Sequence, residues 1–192
     1  MKTKILHSIN EASEAISLLK KDNAINFLKT ISTEIAECFK KGNKILIAGN
    51  GGSLCDAMHA AEEFTAFFRD ERKALPAIAL CDPAHISCMS NDKGYEWIFH
   101  RGIEAHGNKG DVLINLTTSG NSKNLIHAID LAKEKGLIVI SFLGKTGGSM
   151  KGKSDHEWIV EGKYFSDRIQ EVHMTMIHII VEQVENILFY DK

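Results

Sequence analysis

Two short loops and a few polar residues on otherwise apolar helices hold the side chains best suited to chemistry. The first loop, Gly49-Asn50-Gly51-Gly52-Ser53, follows an apolar run. Gly51 and Gly52 let a ligand approach the backbone, and Ser53 can both cap the following helix and donate its hydroxyl to an anion. The second loop, Thr117-Thr118-Ser119-Gly120-Asn121-Ser122, sets the hydroxyls of Thr117, Thr118, Ser119 and Ser122 around a glycine, a neutral nest that suits a phosphate monoester. Taken alone, either loop reads equally well as a turn and a helix cap. Neither carries the Gly-Lys-Ser/Thr ending of nucleoside triphosphate loops, and the first is a poor match to the dinucleotide pattern, so a sugar phosphate fits better than a nucleotide.

His59 and Glu63 are four residues apart, which puts both on one face of a helix where they can share a metal ion or a substrate. Spacing proves proximity only, and such a pair is more often a surface hydrogen bond. Imidazole with carboxylate suits zinc and similar ions, and an enclosed Glu63 is a candidate general base. Near the C-terminus Gln170, His173 and His178 interrupt an apolar helical pattern, where a histidine is more often a satisfied core residue than a ligand. His85, His100, His106, Trp97 and Trp158 have no spacing that lifts them above packing or surface roles.

The elements that position these residues follow from periodicity. Apolar residues at Ile5, Ile9, Ala12, Ile16 and Leu19, then Leu28, Ile31, Ile35 and Phe39, predict a helical hairpin over 1–41 with its break at Asp22-Asn23. Residues 44–48 read as a strand leading through the glycine loop into a helix with apolar positions Ala57, Met58, Ala61, Phe64 and Phe68. The unit recurs. Strands are predicted at 77–80 and 112–116, the latter followed by the hydroxyl loop and a helix ending near Gly136, then at 137–142, with a weaker edge strand at 157–160. The segment 166–190 repeats Ile169, Val172, Met176, Ile177, Ile180, Val184 and Ile187 on one helical face. Continuous apolar strands alternating with helices predict an α/β, three-layer sandwich, with a parallel sheet covered on both faces.

Bulk properties bound the function. The 192 residues suffice for one well-buried core, so a single domain is expected over 1–192, with the hairpin 1–41 added to an α/β core over 42–192 that ends in a long helix. A net charge of -2 offers no footprint for nucleic acid or an acidic membrane, and no apolar run is long enough to cross a bilayer. Cys38, Cys55, Cys81 and Cys88 form no closely spaced pair, and no basic segment leading into an apolar run opens the chain, which reads as a reduced, cytoplasmic protein.

In order along the chain, Ala48-Gly49-Asn50-Gly51-Gly52-Ser53, Cys55-Asp56-Ala57-Met58-His59, Ala61-Glu62-Glu63, His85-Ile86-Ser87-Cys88, Asn91-Asp92, Thr118-Ser119-Gly120-Asn121-Ser122 and Arg168-Ile169-Gln170-Glu171-Val172-His173 closely resemble the phosphoheptose isomerases of the sugar isomerase (SIS) domain family. The resemblance implies a flavodoxin-like, five-stranded parallel sheet between helices and a tetramer with active sites at subunit contacts. It implies ketose to aldose isomerisation of sedoheptulose 7-phosphate, the first step toward heptose precursors of surface glycans such as lipopolysaccharide or capsule. It assigns His59, Glu63, Gln170 and His178 to one zinc site per subunit and makes Glu63 and His178 the acid-base pair. It assigns Asn50, Gly51, Gly52, Ser53, Glu63, Asn91, Asp92, Thr117, Thr118, Ser119, Ser122 and Gln170 to the substrate.

Two departures stand out: Leu54, where some relatives have histidine, and Thr117, where serine is common but the hydroxyl is kept. Gln170 and His178 are eight residues apart, about 12 Å along a regular helix, too far for both to bind one ion unaided. Either Gln170 lies in a frayed first turn or the two come from different subunits. The competing readings are a non-catalytic adaptor of the same fold that binds a replication initiator, and an isomerase of another sugar phosphate.

Overall fold

The computed structural model describes residues 1–190, so the last two positions of the expected domain lie outside the described residues. Helices α1 (Lys2–Ser17) and α2 (Asp22–Lys40) form the predicted hairpin. The chain breaks at Lys21, which is extended, and not at Asp22-Asn23; Asp22 instead starts α2, where its charge favours the electropositive helix end.

The α/β part follows as β1 (Ile45–Gly49), α3 (Gly52–Thr65), β2 (Ala77–Ala79), α4 (Pro83–Asp92), α5 (Ile98–His106), β3 (Val112–Leu116), α6 (Lys123–Glu134), β4 (Ile138–Gly144), β5 (His156–Val160) and α7 (Ser166–Glu185). The sheet has the order β2-β1-β3-β4-β5 and every pairing is parallel, with β5 at one edge as expected.

Alternate strand residues face opposite layers. Ile45, Ile47, Ile114, Leu116, Ile140 and Phe142 pack with α2, α3 and α7. Leu46, Ala48, Leu113 and Val139 pack with α5 and α6 on the other face. Central strands wrapped on both sides have to be apolar throughout, which is why β1 and β3 are buried at every position.

The apolar stripe of α1 behaves differently. Ala15 is buried, but Ile5, Leu6, Ile9 and Ile16 remain exposed. Helix α3 also ends earlier than its apolar repeat predicts, at Thr65 instead of running on to Phe68. The cause is Arg72, whose buried guanidinium donates to the carbonyls of Glu63 at 2.7 Å, Phe64 at 2.8 Å and Ala66 at 2.7 Å and closes the helix. Its charge is balanced by Glu185 on α7 at 2.6 Å.

Candidate active site

The strand order changes direction between β1 and β3, and in open parallel sheets ligands bind beyond the carboxyl ends of the strands at such a point. The loops after β1 and β3 therefore stand where a ligand is expected. Gly51 has φ 58° and begins the turn into α3. In the second loop Gly120 has φ 66°, and a Cβ there would lie 1.8 Å from the Gly147 carbonyl oxygen, so no other residue fits.

The hydroxyl loop is partly self-supporting. The buried Thr117 hydroxyl accepts the Gly120 N–H at 3.2 Å, and the Ser119 hydroxyl accepts the Asn121 N–H at 3.2 Å. Thr118 donates to Ser166 at the start of α7 at 3.2 Å. Ser122 sits at the N-cap of α6 without a side-chain cap, which leaves its hydroxyl for a ligand. Between the loops Asn50 and Asn124 exchange amide hydrogen bonds of 3.0 and 2.8 Å, and Tyr95 donates to Asn50 at 2.8 Å. A cleft of about 400 Å³ opens there, lined by Asn50, Tyr95, Glu96, Ser122, Lys123 and Asn124.

A second cluster lies between α3 and α7. Glu63 Oε1 is 3.0 Å from His59 Nε2 and 3.8 Å from His178 Nε2. The three ligand atoms lie within 4.8 Å of one another, a spacing that fits a shared metal ion. The donor set of two imidazoles and a carboxylate is that of zinc sites which leave a position open for water or substrate. The Glu63 side chain is 15% exposed, while His59 and His178 are 47% and 41% exposed, so the carboxylate is enclosed and the imidazoles face out. The Phe68 ring lies 5.8 Å from that of His178, beyond the end of α3.

Gln170 stands elsewhere. Its amide presses on Gly52, where a Cβ would come within 2.6 Å of Nε2, and Nε2 is 3.5 Å from the Ser53 hydroxyl. It belongs to regular helix from Ser166 onward, so a frayed first turn does not bring it toward His178. Along α7, Gln170 lies about 12 Å from His178 and the loop contact at Ser166 about 18 Å. Within one chain the hydroxyl loop and the His-Glu-His cluster are thus served by opposite stretches of one helix.

Asn91 and Asp92, at the end of α4, are exposed and bond to each other at 2.9 Å, and Cys88 donates to Asp92 at 3.4 Å. Hydrogen bonds from Asn91 and Cys88 hold the Asp92 carboxyl below its ordinary range. Among the described residues neither bonds to the two loops; their link to the cleft runs through Tyr95, three residues further on.

Several residues escaped sequence reading. Asp56 is half-buried one turn after the glycine loop, with Oδ2 enclosed and unpartnered, and burial, against the pull of His59, pushes its carboxyl up to about 6. Asn124, Tyr95 and Arg72 had no motif to mark them. His173 is the buried residue its setting suggested: Nε2 donates to the Leu143 carbonyl at 3.2 Å, and burial holds its imidazole down to about 4. A larger groove of about 560 Å³ between α2 and α7, lined mainly by Leu19, Ile25, Leu28, Ile179 and Ile187, contains none of these groups.

The SIS domain family model matches residues 7–144. A phosphoheptose isomerase from Fusobacterium nucleatum is 55% identical over 159 residues, 83% of this chain and 81% of that protein. The structure of a phosphoheptose isomerase from Neisseria gonorrhoeae superposes with a TM-score of 0.88 at 30% identity, covering 96% of this chain and 98% of that one. One from Francisella tularensis gives 0.89 at 29% identity, covering 97% and 99%. The chain belongs to the phosphoheptose isomerases of the SIS domain family and is an isomerase. The adaptor reading is set aside.

Proposed function

We propose that the chain converts sedoheptulose 7-phosphate to D-glycero-D-manno-heptose 7-phosphate, supplying heptose for surface glycans. The observation that carries this reading is the enclosed Glu63 carboxylate held between His59 and His178. The reaction moves one proton between neighbouring carbons. Glu63 takes the proton from C1 while His178 gives a proton to the C2 carbonyl oxygen, forming an enediol. Glu63 then returns its proton to C2, the O1 hydroxyl proton goes back to His178, and the aldehyde forms at C1. The hydroxyls of Thr117, Thr118, Ser119 and Ser122 hold the phosphate, with Asn50 to Ser53, Asn91 and Asp92 along the sugar, which fixes the reacting carbons.

His59, Glu63 and His178 would hold zinc, with Gln170 as a further donor, and the ion when bound polarises the substrate carbonyl. The helical separation of Gln170 from His178 favours a site completed across a subunit contact, and the exposed Ile5, Leu6, Ile9 and Ile16 favour burial of α1 in a homotetramer. We read the chain as one domain working in the cytoplasm; no helix among the described residues is long and apolar enough to cross a membrane.

The test is turnover of sedoheptulose 7-phosphate, read by product identity, before and after chelation and with metal content measured. Glu63→Gln and His178→Gln should each lower kcat by about 100-fold or more, the usual contribution of a positioned acid or base. Near-normal rates in both would remove the mechanism.

A further inference from the structure

The cleft at the switch point is held together by three side chains from three separate segments. Asn124 lies in the first turn of α6 and is 3% exposed. Its Oδ1 accepts the Leu125 N–H at 3.0 Å, a donor shared with the Ser122 carbonyl at 3.1 Å. Oδ1 also receives Asn50 Nδ2 at 3.0 Å, and Asn124 Nδ2 donates back to Asn50 Oδ1 at 2.8 Å. The second lone pair of Asn50 Oδ1 accepts the Tyr95 hydroxyl at 2.8 Å.

The Asn50 amide is thus committed to the protein at both ends. Both lone pairs of its oxygen and one Nδ2 hydrogen are taken up by the protein, which leaves the second Nδ2 hydrogen and the loop backbone for a ligand. Among the described residues these are the only side-chain hydrogen bonds that join the glycine loop, the segment after α4 and the start of α6. Those are the segments that enclose the 400 Å³ cleft.

We propose that Asn124 and Tyr95 are positioning residues, which clamp Asn50 and so set the gap between the glycine loop and the hydroxyl loop before the sugar phosphate arrives. The inference rests on the reading of this cleft as the sugar-phosphate site. A loop that must be ordered during binding subtracts the cost of ordering from affinity, whereas a clamped one does not. The acid-base cluster stands on other residues of α3 and α7, so loosening the clamp acts on binding more than on the chemical step.

The experiment is steady-state kinetics with sedoheptulose 7-phosphate on wild type, Tyr95→Phe and Asn124→Ala, with Tm measured for each. Tyr95→Phe keeps the ring and removes one hydrogen bond, so it remains informative if Asn124→Ala fails to fold. The expected result is a KM raised about threefold in Tyr95→Phe and about tenfold in Asn124→Ala, with kcat within about twofold of wild type and the Tm of Tyr95→Phe little changed. A merely structural role would lower Tm and kcat together and leave KM in place, and that outcome, or a wild-type KM in Tyr95→Phe, overturns the clamp. Wild type that fails to turn over the ketose phosphate would instead sink the reading of the cleft, and the clamp with it.

Discussion

One buried and one half-buried titrating group give the molecule opposite responses to pH. His173 is neutral in the fold, its imidazole held down to about 4 by burial, while the unfolded chain binds a proton near 6.5. The stability it contributes is complete above 6.5 and is lost as pH falls toward 4, by about 3 kcal/mol in all. Asp56 works the other way. Its carboxyl stands at about 6 in the fold against 3.8 ordinarily, so its contribution is present at low pH and fades as pH rises from 3.8 to about 6. Urea unfolding in the presence of chelator, at steps between pH 7 and 4, should show a shallower acid loss in His173→Gln and a steeper net loss in Asp56→Asn than in wild type. Unchanged slopes in both would mean that neither group is held as described. Reading along the chain found His173 as a core residue because its neighbours are apolar, but nothing local marks Asp56 as enclosed. The convergence of Glu63 with His178 came from family resemblance, since spacing carries no information about a partner so distant in sequence.

The strands were the most legible elements, because a parallel strand covered on both faces leaves a continuous apolar run. Helix limits were less so. Nothing in the repeat Ala57, Ala61, Phe64 and Phe68 announces a stop at Thr65; the stop belongs to Arg72, which lies beyond the helix and takes its carbonyls. That cap should be costly to remove. Arg72→Met leaves Glu185 buried without its partner and exposes the helix end, and the expected loss is about 3–5 kcal/mol in urea unfolding. A loss below about 1 kcal/mol would show that the pair is replaced without strain. Gly120→Ala should do comparable harm locally, since the added Cβ would sit 1.8 Å from the Gly147 carbonyl; thermal melts and phosphate affinity should both fall. Tyr95 and Asn124 were invisible for a related reason: their bonds to Asn50 span 45 and 74 positions, and no motif records them.

For the molecule as a whole, the helical period of α1 was read correctly but not its destination. A stripe at Ile5, Ile9 and Ile16 predicts a face to be covered, and inside one chain most of it is not. Ile5→Glu with Ile9→Glu should dissociate the proposed homotetramer, seen by light scattering, and remove activity while leaving far-ultraviolet circular dichroism intact; a fully active monomer would separate catalysis from association. Helix α7 adds a mechanical point. It carries Ser166 against the hydroxyl loop, Gln170 against the glycine loop and His178 beside Glu63 on a single unbroken rod, bolted at its far end through Glu185 to Arg72. Such a rod transmits tilt along its whole length, so within one chain the contacts of Ser166 and Gln170 with the two loops and the approach of His178 to Glu63 shift together.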